Sequence, residues 1–397
     1  MKNLHSYEEH DRLCEALKNG KAKVITYGMV ASNYSAYVSD LLNGDNVLAN
    51  FDSDPSKWNT SLALSGGGGG GVTIPTLALE RLEDEYKKAD ALIVMTGALA
   101  AVGSYLDNKN MRYYFGEIIR DRLSDNVQAL VAAEKSHIAN HKGEIDRVKS
   151  LLSDRKSIEI YETLLKARTS LSSRERFSAA QSVYESDQYF PKDIEAFYPT
   201  ENEAIVDGGA FNGDSALEFV KWTNGKFKHI YCFEPTAKHS GALRTNLGAY
   251  ANVTCYQKGL SDDNKTLSFV TYAANPQTSH VSGIGNAYIT PSIPKSQETV
   301  ETIDVCAIDK TIDDHITFIK MDIEGSELSA LKGGAKTIKK YKPKLAICIY
   351  HKIEDFWEIP LYIHSLVGEY EFYIRQHAPT ILCNETVLYA VCDNSDK

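Results

Sequence analysis

"AIVDGGAFNGDSALEFV", residues 204 to 220, decides the fold. A short apolar strand ends in Asp207. Gly208, Gly209 and Gly213 follow, and a helix begins near Asp214 or Ser215. Glycines at a strand-to-helix turn let a ligand approach the backbone closely. The acid at the strand end suits a cationic or hydroxyl-bearing group. The pattern is Asp-x-Gly-x-x-x-Gly rather than the GxGxxG of dinucleotide sites, and it suits S-adenosylmethionine, whose amino-acid end is cationic. The ordinary alternative is a βα turn with no ligand.

The next strand, "HIYCFEP", closes on Glu234, 21 residues after Gly213. A carboxylate there can accept hydrogen bonds from both hydroxyls of a ribose, by the logic of dinucleotide folds. Further on, "FIKMDIEGSELSALKGGAKTIKKYKPKLAICIYH" (318 to 351) places Asp322 at the end of a buried strand that faces the same crevice. Glu324, Gly325 and Ser326 lead into the following helix.

Around these pieces, strand signals alternate with helix signals from about residue 200 onward. Near the C-terminus "YEFYIRQ" and "ETVLYAVCD" leave no room for a helix between them and predict an antiparallel pair. The segment between Ala273 and Gln297 carries Pro, Gly, Ser and Asn and is predicted to be a long binding loop. Residues 112 to about 185 are rich in charge. Ile145, Val148, Leu151 and Leu152, then Ile158, Tyr161, Leu164 and Leu165, recur at helical spacing. This segment is read as a helical connector with solvated charges.

Residues 187 to 394 resemble the FkbM family of S-adenosylmethionine-dependent methyltransferases. The resemblance is carried by "VDGGAFNGDS", "YCFEP", "KGLSDDNKTLSF", "FIKMDIEGSELSALKGGA", "AICIYHKIEDFWEIPLYI" and "ETVLYA". It implies a class I methyltransferase sheet of Rossmann-like α/β type, with a reversed C-terminal strand. It also implies methyl transfer, usually to a hydroxyl oxygen, on sugars of polysaccharides, polyketides or other secondary metabolites. Asp207, Gly208, Gly209, Gly213, Asp214, Glu234, Ser261 and Asp322 are the expected cofactor contacts. The alternatives are N- or C-methylation at the same cofactor site, a non-catalytic binding protein of this fold, and a dehydrogenase working through the N-terminal part.

A hydroxyl acceptor is too weak an acid to ionise unaided at neutral pH, so a side chain must take its proton. His351, directly after "KLAICIY", is the first candidate, with an unperturbed pKa of ~6.5. Asp322 would orient that imidazole or contact the cofactor's amino group. His280 in the long loop and His377 after "YIRQ" are alternatives. No metal site is assigned; Asp322 is a conceivable magnesium ligand without identified partners.

The first 115 residues alternate "KAKVITYG", a helix over "NYSAYVSDLLNG", "NVLANFDSD", a helix over "IPTLALERLEDEYKKA", and "DALIVMTG". That order predicts a second Rossmann-like α/β domain. Only Gly28 stands in the turn "YGMVASNYS", where dinucleotide relatives carry GxGxxG, so a pyrophosphate is not expected there. Six glycines, Gly66 to Gly71, bridge no strand directly to a helix and have no following GK[ST]; they are read as a flexible connector. The expected organisation is 1–115 accessory domain, 116–185 helical connector and 186–397 methyltransferase domain.

The net charge of −10 over 397 residues argues against nucleic acid as a partner. Instead a small-molecule or glycan-precursor acceptor is expected, with room for homo-oligomerisation. No apolar run reaches the ~20 residues of a membrane span. "MKNLHSYEEHDRLCEAL" lacks the basic start and apolar stretch of a secretory signal, so a cytoplasmic protein is expected. The seven cysteines show no CxxC spacing and read as buried thiols.

Overall fold

The computed structural model describes residues 2–29, 42, 45–65, 71–95, 99–116, 125–170, 172–272, 279–282, 298–378 and 385–392. The chain divides into two compact units. Among the described residues no helix is long and apolar enough to cross a membrane.

The first unit holds a six-stranded sheet: β1 (Val24–Tyr27), β2 (Val47–Phe51), β3 (Ser61–Ser65), β4 (Gly71–Leu77), β5 (Ala91–Val94) and β6 (Tyr114–Phe115), in the order β3-β4-β2-β1-β5-β6. All neighbours are parallel except β3, which runs antiparallel to β4. The helix expected from Ile74 onward starts later. Ile74–Leu77 extend β4, and only Leu82–Tyr86 is α-helical. The β-branched run Val72, Thr73, Ile74 and Thr76 favours a pleated strand over a helix. Ser65 and Gly71 are paired across the β3–β4 hairpin. The glycines between them, and nearly all of the helix expected at 33–44, lie outside the described residues. The turn after β1 is filled from within: Asn50 accepts hydrogen bonds from Thr26 Oγ1 (2.9 Å) and Met29 N (3.1 Å), and donates to Met29 O (3.0 Å).

The second unit is built on a seven-stranded sheet: β7 (Ala204–Gly208), β8 (His229–Phe233), β9 (Val253–Tyr256), β14 (Phe318–Met321), β15 (Lys344–Cys348), β16 (Glu371–Gln376) and β17 (Thr386–Val391), in the order β16-β17-β15-β14-β7-β8-β9. From β15 to β9 the strands are parallel; β17 runs antiparallel to both β15 and β16. Successive strand residues point to opposite faces. Val206, Ile319, Met321, Leu345 and Ile347 therefore feed one core, and Ile205, Phe318, Ala346 and Cys348 the other. Both β8 and β14 flank β7, and the strand order runs outward from β7 in opposite directions, through β8 and β9 on one side and β14 and β15 on the other. In open α/β sheets, the crevice at such a switch point binds ligands at the carboxyl ends of the strands.

A smaller sheet joins β10 (Gly259–Leu260), β11 (Lys265–Tyr272), β12 (His280–Val281) and β13 (Glu298–Cys306), ordered β10-β13-β11-β12. Much of the predicted long loop lies outside the described residues, but its described part is strand β12. The helices Lys142–Leu151 and Arg155–Arg168 belong to this unit. Ile145, Val148, Ile160, Tyr161, Leu164 and Leu165 enter its core. Ser157 Oγ accepts from Ile374 N (2.9 Å), and Arg375 pairs with Asp154 (2.7 Å) and Asp193 (2.9 Å). The charges on these helices thus include ties to the sheet as well as solvated faces.

Candidate active site

A cavity of about 810 Å³ opens at the carboxyl ends of β7, β8 and β14. The turn after β7 forms one wall. The backbone N–H groups of Gly209 and Ala210 both donate to Phe233 O, at 3.1 and 3.0 Å, which ties the turn to β8. Gly209 has φ +75°, and a Cβ on it would stand 1.9 Å from Asp322 O. Only glycine lets the turns after β7 and β14 meet so closely.

Asp207 is fully buried. It accepts from Ser215 Oγ at 2.7 Å and forms an ion pair with Lys320 Nζ at 3.0 Å. Lys320 also donates to the carbonyls of Gly208 (3.2 Å) and Gly209 (3.0 Å). Burial lowers the Lys320 pKa, but the Asp207 and Asp322 carboxylates overcome this and hold it above the ordinary lysine value. Asp207 was expected to meet a cation from the cofactor. The cation beside it is a lysine, and Asp207 does not line the cavity. The residue acts on the glycine turn through Lys320.

Glu234 does line the cavity, at the end of β8. Its Oε1 accepts from Thr236 N (2.9 Å) and Thr236 Oγ1 (2.6 Å), which fixes the side chain. None of the described residues donates a hydrogen bond to Oε2. Beside it, His239 lies in ring contact with Phe211, centroids 4.4 Å apart. Asp214, at the start of helix Asp214–Trp222, also borders the cavity.

The opposite wall is a carboxylate cluster. Asp322 accepts from Tyr189 Oη (2.8 Å) and Tyr350 Oη (3.1 Å). Burial raises its pKa, but the charges of His351 and Lys320 and the Tyr189 hydroxyl bring it below the usual carboxylate range. Glu324 and Glu385 border the same space. Burial pushes Glu324 up to about 8, and burial together with the Asp322 charge pushes Glu385 up to about 7.

The predicted histidines fall elsewhere. His351 is buried and does not line the cavity. Its Nε2 lies 3.4 Å from Asp322 and 3.6 Å from Glu324, and its Nδ1 lies 3.0 Å from Glu327. Burial lowers its pKa, but the Glu327, Glu324 and Asp322 carboxylates raise it well above the ordinary value. The ring thus stands behind the cavity wall and not among its lining, where a base for an acceptor's proton was expected. His280 is buried on β12, while its neighbours Ser279 and Val281 are the ones that border the cavity. His377 Nδ1 donates to Glu185 O (2.9 Å), and Nε2 accepts from Tyr389 Oη (2.8 Å). Ser261 donates to Asp262 (2.9 Å) and lies outside the lining, whereas Gly259 and Leu260 are within it. The structure therefore gathers Gly209, Asp214, Glu234 and Asp322 around one space. Asp207, Gly208 and Gly213 shape its wall from behind.

Tyr189, Lys320, Tyr350 and Glu385 escaped the sequence reading. A lysine inside the apolar strand "FIKMD" was a usable signal, because a buried lysine requires a partner. Tyr189 lies far from the glycine turn in sequence, and no local pattern marked it.

The parallel sheet with its reversed β17, the glycine turn after β7 and the acid closing β8 define the class: a Rossmann-like methyltransferase fold of class I. Residues 207–378 match the model of the methyltransferase FkbM domain. The crystal structure of methyltransferase FkbM from Methylobacillus flagellatus KT superposes with a TM-score of 0.56 at 20% identity, covering 96% of this chain and 98% of that one. An rRNA methylase from Streptococcus thermophilus aligns at 14% identity and TM-score 0.32 over 50% of this chain and 90% of its own. No curated protein matches.

Proposed function

We propose that the C-terminal unit binds S-adenosylmethionine in the cavity and directs its methyl group to a hydroxyl oxygen of a sugar, polysaccharide precursor or secondary metabolite. The observation that carries this reading is Glu234, fixed by Thr236 with Oε2 to spare and standing in one cavity with Gly209 and Asp322. The donor set fits the cofactor. Glu234 Oε2 can accept from a ribose diol, and Asp322 offers an anionic wall to the cofactor's positive charge. When bound, the cofactor supplies an electrophilic methyl on a sulfonium. A volume of about 810 Å³ has room for a small acceptor alongside it.

Within this reading Tyr189 and Tyr350 hold the Asp322 carboxylate in place, and Lys320 keeps the glycine turn against β14. Glu385 takes the acceptor's proton. It borders the cavity, and a carboxyl raised to about 7 is matched to proton transfer near neutral pH. Titration calorimetry of the full chain with S-adenosylmethionine tests the proposal directly. Glu234→Ala should weaken binding by about 1–3 kcal/mol, the loss of charge-assisted hydrogen bonds. No heat from the wild-type chain, or equal affinity in the variant, removes the cavity as the cofactor site. Labelled cofactor with a panel of hydroxylated metabolites then identifies the acceptor.

A further inference from the structure

Behind the cavity wall, Asp322, Glu327 and His351 converge. One ligand-type atom from each lies within 4.8 Å of the others. His351 is 1% and Glu327 0% exposed. Three buried atoms here have no hydrogen bond: Nδ1 and Nε2 of His351, and Oε2 of Glu327. The separations are short, at 3.0 Å from Nδ1 to Glu327 and 3.4 Å from Nε2 to Asp322. Yet neither lies in line for a hydrogen bond. Asp355, fully buried next to the cluster, also has an oxygen without a hydrogen bond, 3.6 Å from Lys352 Nζ. Lys320, the buried cation near Asp322, is already committed to Asp207 and the glycine turn.

Polar atoms that crowd together without bonding one another are what ligands around a shared centre show. A divalent ion with bonds of roughly 2.1 Å sets adjacent ligand atoms about 3 Å apart and opposite ones about 4.2 Å apart. Taking one ring nitrogen with one oxygen from each carboxylate, the three atoms lie within 4.8 Å of one another, so the cluster must close in around an ion. Buried polar atoms without a hydrogen bond are costly, and metal coordination is one way to satisfy them. Two carboxylates and one imidazole form a mixed O,N donor set suited to Mn²⁺ or Zn²⁺.

We propose that Asp322, Glu327 and His351 form a binding site for one divalent transition-metal ion. The ion ties Asp322, which borders the cavity, to the buried Glu327 at the start of helix Glu327–Gly333. It thereby fixes the carboxylate that forms the cavity wall. Metal binding is read without cofactor or acceptor, so this inference stands or falls apart from the assignment of methyl transfer.

The test uses the full chain, stripped with a chelator and titrated with Mn²⁺ alone. The free-ion electron paramagnetic resonance signal should stay suppressed until one equivalent is bound. With ¹⁵N-histidine labelling, the bound ion should show coupling to one imidazole nitrogen, and Zn²⁺ should displace it. Glu327→Gln and His351→Asn, each checked for a wild-type far-ultraviolet spectrum, should bind at least ~10-fold more weakly. If either variant fails to fold, the nitrogen coupling in the wild-type protein decides the question. A full free-ion signal at one equivalent overturns the proposal. So does bound Mn²⁺ without nitrogen coupling, or wild-type affinity in both variants.

Discussion

Replacing Lys320 by methionine tests how the cofactor turn is held. The change keeps the length of the buried stem and removes the charge. In the wild-type protein the ammonium forms an ion pair with Asp207 at 3.0 Å and bonds the carbonyls of Gly208 and Gly209. Asp207 is 0% exposed, and without the lysine it keeps only the Ser215 hydroxyl at 2.7 Å. Breaking a buried pair from one side leaves an uncompensated charge and costs about 3–5 kcal/mol. For a unit of this size, 1 kcal/mol moves the melting temperature by roughly 2–4 °C, so the variant should melt about 6–20 °C lower. Scanning calorimetry of the full chain measures this, since the shift should fall on the transition of the second unit. Adding Asp207→Asn neutralises the stranded charge and should recover a large part of the loss. The reasoning is refuted if Lys320→Met melts within ~2 °C of wild type, or if the double variant is no more stable than the single one.

Three further outcomes can be checked. Glu385→Gln should lower turnover by ~10²–10⁴-fold while cofactor affinity holds; wild-type turnover should rise with pH through about 7, where the carboxyl ionises, and the variant should lack that limb. Gly209→Ala must relieve a Cβ 1.9 Å from Asp322 O at φ +75°, so a destabilisation of about 2–4 kcal/mol is expected in urea melts, together with weaker cofactor binding. Burial lowers the His377 pKa to about 4, so between pH ~6.5 and 4 the unfolded chain binds a proton that the folded chain excludes. Stability should therefore fall by roughly 2 kcal/mol from pH 7 to pH 5 on this account, and His377→Gln should flatten that slope.

The sheet of the second unit was legible because each strand is a short apolar run with its acid or glycines at the end. Asp207, Glu234 and Asp322 all read as strand-end acids, and two of the three border the cavity. Sequence could not tell them apart, because the difference lies in which strand neighbour supplies a lysine. The same limit hid Glu327, whose meaning comes from His351 on another strand. His351 read as a candidate base because its three carboxylate neighbours come from the β14 turn and the helix after it, where no local pattern marks them. Strand β4 was missed for a local reason: a proline beside a leucine-rich stretch imitates a helix start, and the β-branched residues outweighed it. The helices at 142–168 were legible as helices from their spacing, whereas their docking on β16 depends on Ser157, Asp154 and Arg375, which no periodicity marks.

Strand β17 lies between β15 and β16, although β16 precedes it along the chain. During synthesis, β15 emerges with one hydrogen-bonding edge that only β17 can cover. Until Thr386–Val391 leaves the ribosome, that edge and β16 are two unmatched templates for pairing with other chains. Translation at about 5–20 residues per second leaves them so for several seconds, long compared with the formation of local hairpins. The nascent unit thus passes through an aggregation-prone interval set by strand order alone, and holdase chaperones have a defined target in it.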